Sequence, residues 1–157
     1  MAPEKKSLKI DNIKARDIMT EDVEVIKEDT PISQFAHLML RARVGGYPIV
    51  GKDGKVVGIV TLTDLFILID KMVKQKDSEF ISGKEESMHD KIKRLKDKPI
   101  RGIMSKNVIT ITPSTTLVEI IEAVVKWNIH TFPVMENNKL VGIIGRHDVL
   151  NATFVYG

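Results

Sequence analysis

The chain repeats itself, and the repeat restricts the fold to two copies of one supersecondary unit. Arg16-Asp17-Ile18-Met19 returns 85 positions on (101 minus 16) as Arg101-Gly102-Ile103-Met104. At that offset Val23 meets Val108, Ile26 meets Ile111, Thr30 meets Thr115 and Pro48 meets Pro133. After the turn Gly51–Lys55, answered by the shorter Glu136–Lys139, the offset drops to 84 (141 minus 57): Val57-Gly58-Ile59 meets Val141-Gly142-Ile143, and Asp64 meets Asp148. A one-residue gap confined to a turn is the mark of a duplicated fold, and similar halves bury their apolar faces on each other. Ligands favour clefts at such interfaces.

Each copy carries the same signals in the same order. A helical turn at Arg16–Met19 or Arg101–Met104 leads to an extended stretch at Val23–Ile26 or Val108–Ile111. A helix follows. In copy one Thr30-Pro31 puts proline in its first turn. In copy two Ser114 or Thr115 is placed to cap it. The helices end near Val44-Gly45-Gly46 and Asn128-Ile129-His130. A hairpin closes each copy, Tyr47–Val50 with Lys55–Val60 across an Asp-Gly turn, and Phe132–Met135 with Lys139–Ile144. A second helix begins at Thr63-Asp64 and at His147-Asp148. Leu65–Ile69 is apolar nearly all round, which predicts burial in the core or at a subunit interface. The equivalent stretch is Val149–Val155. These signals predict a mixed α/β fold of two β-α-β-β-α repeats related by a pseudo-two-fold axis: an N-terminal tail 1–14, copies at 15–73 and 99–157, and a charged connector 74–98. Met88, Ile92 and Leu95 predict one short amphipathic helix there, after a break at Ser82-Gly83 and before a stop at Pro99. Each copy is near the lower size limit of a self-sufficient core, about 55–65 residues, so the two are expected to fold as one unit.

Composition narrows the function. The 157 residues are 43% hydrophobic and 29% charged, with no cysteine, which excludes disulfides and thiol chemistry. No apolar run reaches the roughly 20 residues of a membrane span. Met1–Lys9 has no signal-peptide core, and the expected location is the cytoplasm. The net charge of +3 is uneven. Residues 1–16 carry five basic and two acidic side chains, residues 71–98 nine and six, and residues 17–70 five and nine. The positive surplus lies in the tail and connector and reads as solvated surface. No phosphate-binding Gly-x-x-x-x-Gly-Lys-Ser/Thr loop and no Gly-x-Gly-x-x-Gly is present. His37, His89, His130 and His147 lack metal-ligand spacing. No nucleophile has an evident base, so neither catalysis nor a resident cofactor or metal is expected. The methionines read as core filler and Trp127 as packing.

The repeated unit, with its Ile-Met opening, its Tyr/Phe-Pro-Val/Ile strand and its Gly-Ile-Val-Thr-x-x-Asp close, resembles a tandem pair of cystathionine-β-synthase (CBS) domains of the stand-alone kind, over residues 15 to 154. The resemblance implies a non-catalytic sensor that binds AMP, ADP, ATP or S-adenosylmethionine in two clefts between the copies. It also implies a flat homodimer and a regulated partner protein.

Gly58-Ile59-Val60-Thr61-Leu62-Thr63-Asp64 corresponds to the ribose-phosphate motif. A strand ends and a helix begins, so free amides and the helix dipole face a phosphate. The Thr61 hydroxyl can donate to phosphate, and the Asp64 carboxylate can accept from both hydroxyls of a ribose. Simple helix capping by Thr61 or Thr63 and Asp64 remains the alternative. The second copy, Gly142-Ile143-Ile144-Gly145-Arg146-His147-Asp148, keeps Asp148 and has Gly145 in place of Thr61. It adds Arg146, and has His130 where copy one has Gly45. Arg146 and His130 can both face phosphate; a solvated arginine and a satisfied imidazole are the alternatives. The resemblance further implies mixed clefts, with Met19-Thr20 and Val44-Gly45-Gly46 serving Asp148, and Met104-Ser105 and Ile129-His130-Thr131 serving Asp64. Phosphate-rich ligands are expected to prefer Asp148. Two other readings stay open: a nucleic-acid-binding accessory protein using the basic tail and connector, and a dimerisation scaffold with vestigial sites.

Overall fold

The computed structural model describes residues 10–41, 45–74 and 87–155. The tail 1–9, Val44 and the Ser82-Gly83 break lie outside the described residues. In chain order the elements are α1 (Ala15–Ile18), β1 (Ile26–Lys27), α2 (Ile32–Arg41), β2 (Gly46–Val50), β3 (Val56–Thr61), α3 (Leu62–Lys74), α4 (Met88–Leu95), α5 (Leu117–Trp127), β4 (Thr131–Glu136), β5 (Lys139–Gly145) and α6 (Arg146–Val155), with 3-10 turns at Ile10–Asn12 and Ile100–Gly102. They form two compact units, Val25–Val108 and Met1–Glu24 with Ile109–Gly157. The fold is mixed α/β. Both sequence repeats yield helix, hairpin and helix in the expected order.

In the Val25–Val108 unit, β1 pairs parallel with β2 and β2 pairs antiparallel with β3. A parallel return needs a crossover, and α2 supplies it. Its apolar stripe buries Ile32, Phe35 and Met39. The Phe35 ring meets Tyr47 edge-on, with centroids 6.1 Å apart, the favoured aromatic geometry. Pro48 sits opposite Ile59 in the middle of the sheet. It is tolerated because the Ile59 amide turns away from it, toward the Ser105 carbonyl at 2.9 Å, so the pair needs no Pro48 N–H. The Gly54 position requires its glycine, with φ at +78° in the turn.

The other unit repeats the hairpin as β4 and β5, with Pro133 opposite Ile143. Its turn is made by Asn137 and Asn138, both at positive φ (50° and 62°), the twist-matched hairpin type. β1 has only a single-residue counterpart, a parallel bridge of Ile111 to Val134. The α5 cap is Thr116, one residue beyond the expected positions. Its hydroxyl accepts from the Glu119 amide at 3.2 Å, and the Glu119 carboxylate accepts from the Thr116 amide at 3.1 Å, a complete capping box.

The units do not coincide with the sequence repeats, because the openings change places. Met104-Ser105, from the start of copy two, docks on the hairpin of copy one. Ser105 and Ile59 exchange both backbone hydrogen bonds at 2.9 Å. Met19-Thr20, from the start of copy one, docks on the hairpin of copy two, where Thr20 and Ile143 exchange both bonds at 3.0 Å. The glycines of the repeated Val-Gly-Ile make this possible. A Cβ on Gly58 would stand 2.6 Å from Met104 Sδ, and one on Gly142 would stand 2.6 Å from Met19 Sδ. Each opening methionine therefore lies where a side chain would otherwise be.

The outer faces of the last helices correct one expectation. On α3, Leu65 and Leu68 pack on the core and Met72 is buried, yet Leu62, Phe66, Ile69 and Val73 are 45–66% exposed along one face. The core reading of this all-round apolar helix fails on that face. On α6, Val149 and Ala152 are buried while Phe154 is 81% exposed. Trp127 likewise stands in solvent under Lys126, whose Nζ lies 5.0 Å from the ring centroid, rather than in the core. The connector contains the expected helix as α4, capped by Ser87, whose hydroxyl accepts from the Asp90 amide at 3.1 Å. No helix among the described residues is long and apolar enough to cross a membrane.

Candidate ligand site

Both candidate carboxylates stand at the third position of a helix that follows directly on a strand. In the Val25–Val108 unit β3 ends at Thr61 and α3 starts at Leu62. Asp64 Oδ2 accepts the Thr61 amide at 2.7 Å and the Thr61 hydroxyl at 3.2 Å. In the other unit Asp148 Oδ2 accepts the Gly145 amide at 2.8 Å. Each aspartate thus accepts the amide of the residue before its helix, which fixes the carboxylate orientation, while the Thr61 hydroxyl donates to Asp64 rather than capping a first-turn amide.

The caps leave different acceptor capacity. A carboxylate has about four lone-pair positions. Thr61 occupies two at Asp64, both on Oδ2, and leaves Oδ1 free among the described residues. Gly145 occupies one at Asp148 and leaves three among the described residues.

The cross-strand partners of these positions are also exchanged. Gly46 lies opposite Thr61, and Thr131 lies opposite Gly145. Each hairpin carries one threonine and one glycine at the same pair, in opposite order. The Thr61 hydroxyl reaches its aspartate. Thr131 is 5% exposed and its Oγ1 has no hydrogen-bond partner among the described residues, a state that costs about 1–3 kcal/mol. Sequence reading missed this orphan, because only register shows which residue faces which.

His130 and Arg146 both lie in the second unit. His130 sits one residue before β4, and its Nε2 lies 2.8 Å from Asn128 Oδ1. Asn128 is left-handed at φ 53° where it closes α5, a geometry asparagine tolerates. Since Asn128 Oδ1 only accepts, His130 Nε2 donates, and in the neutral ring Nδ1 carries the lone pair. Burial first, and the positive Arg146 second, hold the His130 pKa below its ordinary value. Arg146 is exposed and makes no ion pair among the described residues. Asn128 was not anticipated; the signal is an asparagine at a helix end two residues before a histidine.

The predicted residues thus fall into two sets. Gly45, Gly46, Thr61, Asp64 and Ser105 belong to the Val25–Val108 unit, where the Gly45 carbonyl accepts the Leu62 amide at 3.0 Å. Thr20, His130, Thr131, Arg146 and Asp148 belong to the other. Thr20 lies beside Ile143 on the strand leading to Asp148, and Ser105 beside Ile59 on the strand leading to Asp64.

Two duplicated hairpins, each ending in a helix whose first turn holds a carboxylate, define the class of a tandem repeat module. The family model for the CBS domain matches residues 15–71 and 100–154, and the chain belongs to the CBS-domain family. It is 29% identical over 153 residues to an uncharacterized protein of Methanocaldococcus jannaschii, with 87% of this chain and 89% of that protein covered. It is also 27% identical to homoserine O-acetyltransferase of Methanohalobium evestigatum, but spans only 22% of that enzyme. Two solved structures share the fold: CBSX2 in complex with AMP (21% identity, TM-score 0.68, covering 91% of this chain and 97% of that one) and a CBS domain pair in complex with 5′-methylthioadenosine and S-adenosyl-L-methionine (22% identity, TM-score 0.68, covering 92% and 98%).

Proposed function

We propose that the chain is a non-catalytic sensor of an adenosine-containing ligand, AMP, ADP, ATP or S-adenosylmethionine, that alters its association with a regulated protein. The observation that carries this reading is the pair of oriented carboxylates, each at the start of a helix and each with Oδ1 open among the described residues. A ribose presents two vicinal donors, and a carboxylate oxygen held at a helix start accepts them while first-turn amides receive an anionic tail. The adenosine ligands of the two related structures support the same class of ligand.

The Asp148 site takes the more phosphorylated ligands. It has three open acceptor positions, the unpaired Arg146 and the neighbouring His130, whereas the Asp64 site has no cation among its named residues. The exposed apolar faces of α3 and α6 serve a homodimer, since contiguous exposed patches of this kind mark interaction surfaces.

A thermal-shift panel of AMP, ADP, ATP and S-adenosylmethionine tests the reading. A ligand at about 100 times its dissociation constant adds roughly 2.7 kcal/mol, and Asp148→Asn should abolish the shift for nucleotides. If none of the four ligands stabilises the chain, the capped aspartates are structural only and the module is a scaffold.

A further inference from the structure

At the turn end of the β2–β3 hairpin, away from Thr61, lies a cleft of about 420 Å³. Lys27, Lys52 and Arg101 line it together with Glu28, Asp29 and Val50. Its frame is fixed by main-chain bonds: the Glu28 amide donates to the Val50 carbonyl at 3.1 Å, and the Glu28 carbonyl accepts from the Arg101 amide at 3.0 Å. None of the three cations makes an ion pair among the described residues, although two carboxylates line the same cleft.

The duplication supplies an internal control. In the other unit the Arg16 amide donates to the Pro113 carbonyl at 3.0 Å, the same main-chain bond as Arg101 to Glu28. Yet by the repeat Lys27 becomes Thr112, Glu28 becomes Pro113, Asp29 becomes Ser114, and the turn residue Lys52 gives way to Asn137. Only the arginine is kept. The fold therefore does not require the other four charges.

We propose that this cleft binds a small phosphomonoester bearing hydroxyl groups, of sugar-phosphate size. Arg101 offers a planar fork to the phosphate oxygens and the two lysines offer point charges. A bare anion would leave Glu28 and Asp29 facing like charge, whereas hydroxyls on the same molecule donate to them. The volume falls in the range of small-molecule sites, about 300–1,000 Å³. The site shares no residue with Asp64 or Asp148 and stands independently of the adenosine reading.

The test is a ¹H–¹⁵N NMR titration of the full chain with ribose 5-phosphate and, separately, inorganic phosphate. Ribose 5-phosphate should shift the amides of Lys27–Asp29 and Gly51–Gly54 and bind more tightly than phosphate. Introducing the copy-two residues, Lys27→Thr with Lys52→Asn, removes both lysine contacts and should weaken it by about tenfold or more, since even one charge-assisted contact is worth about that much. Asp64→Asn with Asp148→Asn should leave it unchanged. The proposal is overturned if the Thr112, Ser114 and Asn137 amides shift equally, if the lysine variant binds as before, if inorganic phosphate binds equally well, or if the aspartate variant abolishes the shifts.

Discussion

Replacing Gly58 or Gly142 by alanine probes the docking of the two openings, and the surroundings predict unequal outcomes. At Gly142 all three nearest atoms belong to Met19: Sδ at 2.6 Å, Cγ at 2.9 Å and Cβ at 3.1 Å. A methionine has three rotatable bonds and can move aside. At Gly58 the new methyl meets Met104 Sδ at 2.6 Å and also the Ser105 carbonyl oxygen at 2.9 Å. That oxygen accepts the Ile59 amide and can retreat only by loosening the Ile59–Ser105 pair. Overpacking costs about 1–3 kcal/mol at either site. Gly58→Ala adds up to about 1–3 kcal/mol for two hydrogen bonds at 0.5–1.5 each. For a chain of this size 1 kcal/mol is about 2–4 °C in Tm, so Gly142→Ala should lower Tm by about 2–12 °C and Gly58→Ala by more. The deciding assay is a pair of double-mutant cycles followed by circular dichroism. Met19→Ala removes the two closest atoms at Gly142, Sδ and Cγ, and leaves only the Met19 Cβ at 3.1 Å, so that cycle should show a coupling near 1–2 kcal/mol. Met104→Ala leaves the Ser105 carbonyl in place, so its cycle with Gly58→Ala should couple less. Equal coupling in both cycles, or a Gly58→Ala protein as stable as its parent, refutes the reasoning.

Thr131→Val removes the orphaned hydroxyl at nearly constant shape and should raise stability by about 1 kcal/mol in denaturant unfolding; a loss would mean the hydroxyl has a partner. Gly145→Thr rebuilds the Thr61 arrangement, and the space exists, since a Cβ there meets nothing closer than Asp148 Oδ2 at 3.7 Å. It should gain about 0.4–1 kcal/mol and weaken ribose binding at Asp148 by filling one of its acceptor positions, both readable by calorimetry. The depressed pKa of His130 means that the folded state prefers the neutral ring. Its contribution to stability is therefore full above the unfolded value near 6.5 and is lost as pH falls below it; His130→Gln should flatten that slope in unfolding curves measured between pH 5 and 7. A phosphate beside Arg146 reverses the repulsion, so nucleotide binding should take up a proton in the same range. Phe66→Glu should yield monomers in light scattering if the α3 face joins two copies.

Much of the architecture was legible because it is local. The Asp-Gly and Asn-Asn turns, the 3.6-residue stripe of Ile32, Phe35 and Met39, and the aspartate in each final helix are written in short windows, and the duplication gave every window a second reading. The Thr116 cap was legible too, through Thr-x-x-Glu, but Ser114 and Thr115 are equally good capping residues by type. What was not legible is long-range. Nothing near Met19 says that it packs on Gly142 rather than on its own copy's Gly58, since the two hairpins share the same Val-Gly-Ile. Apolar composition placed Phe66 and Ile69 at a packed surface without distinguishing core from interface. The orphaned Thr131 and the crowding of Asp64 Oδ2 depend on register and rotamer, to which periodicity is blind. The extended stretches at Val23–Ile26 and Val108–Ile111 shrank to two residues and to one bridge, because each has a single strand edge to pair with.

The exchange of openings makes the chain order and the packing order different. Thr20 waits for a hairpin partner synthesised more than a hundred residues later, while everything in Val25–Val108 is available as one uninterrupted stretch. A circularly permuted gene that begins near residue 25 and joins the old ends would string each module together contiguously, and should refold faster by shortening that loop.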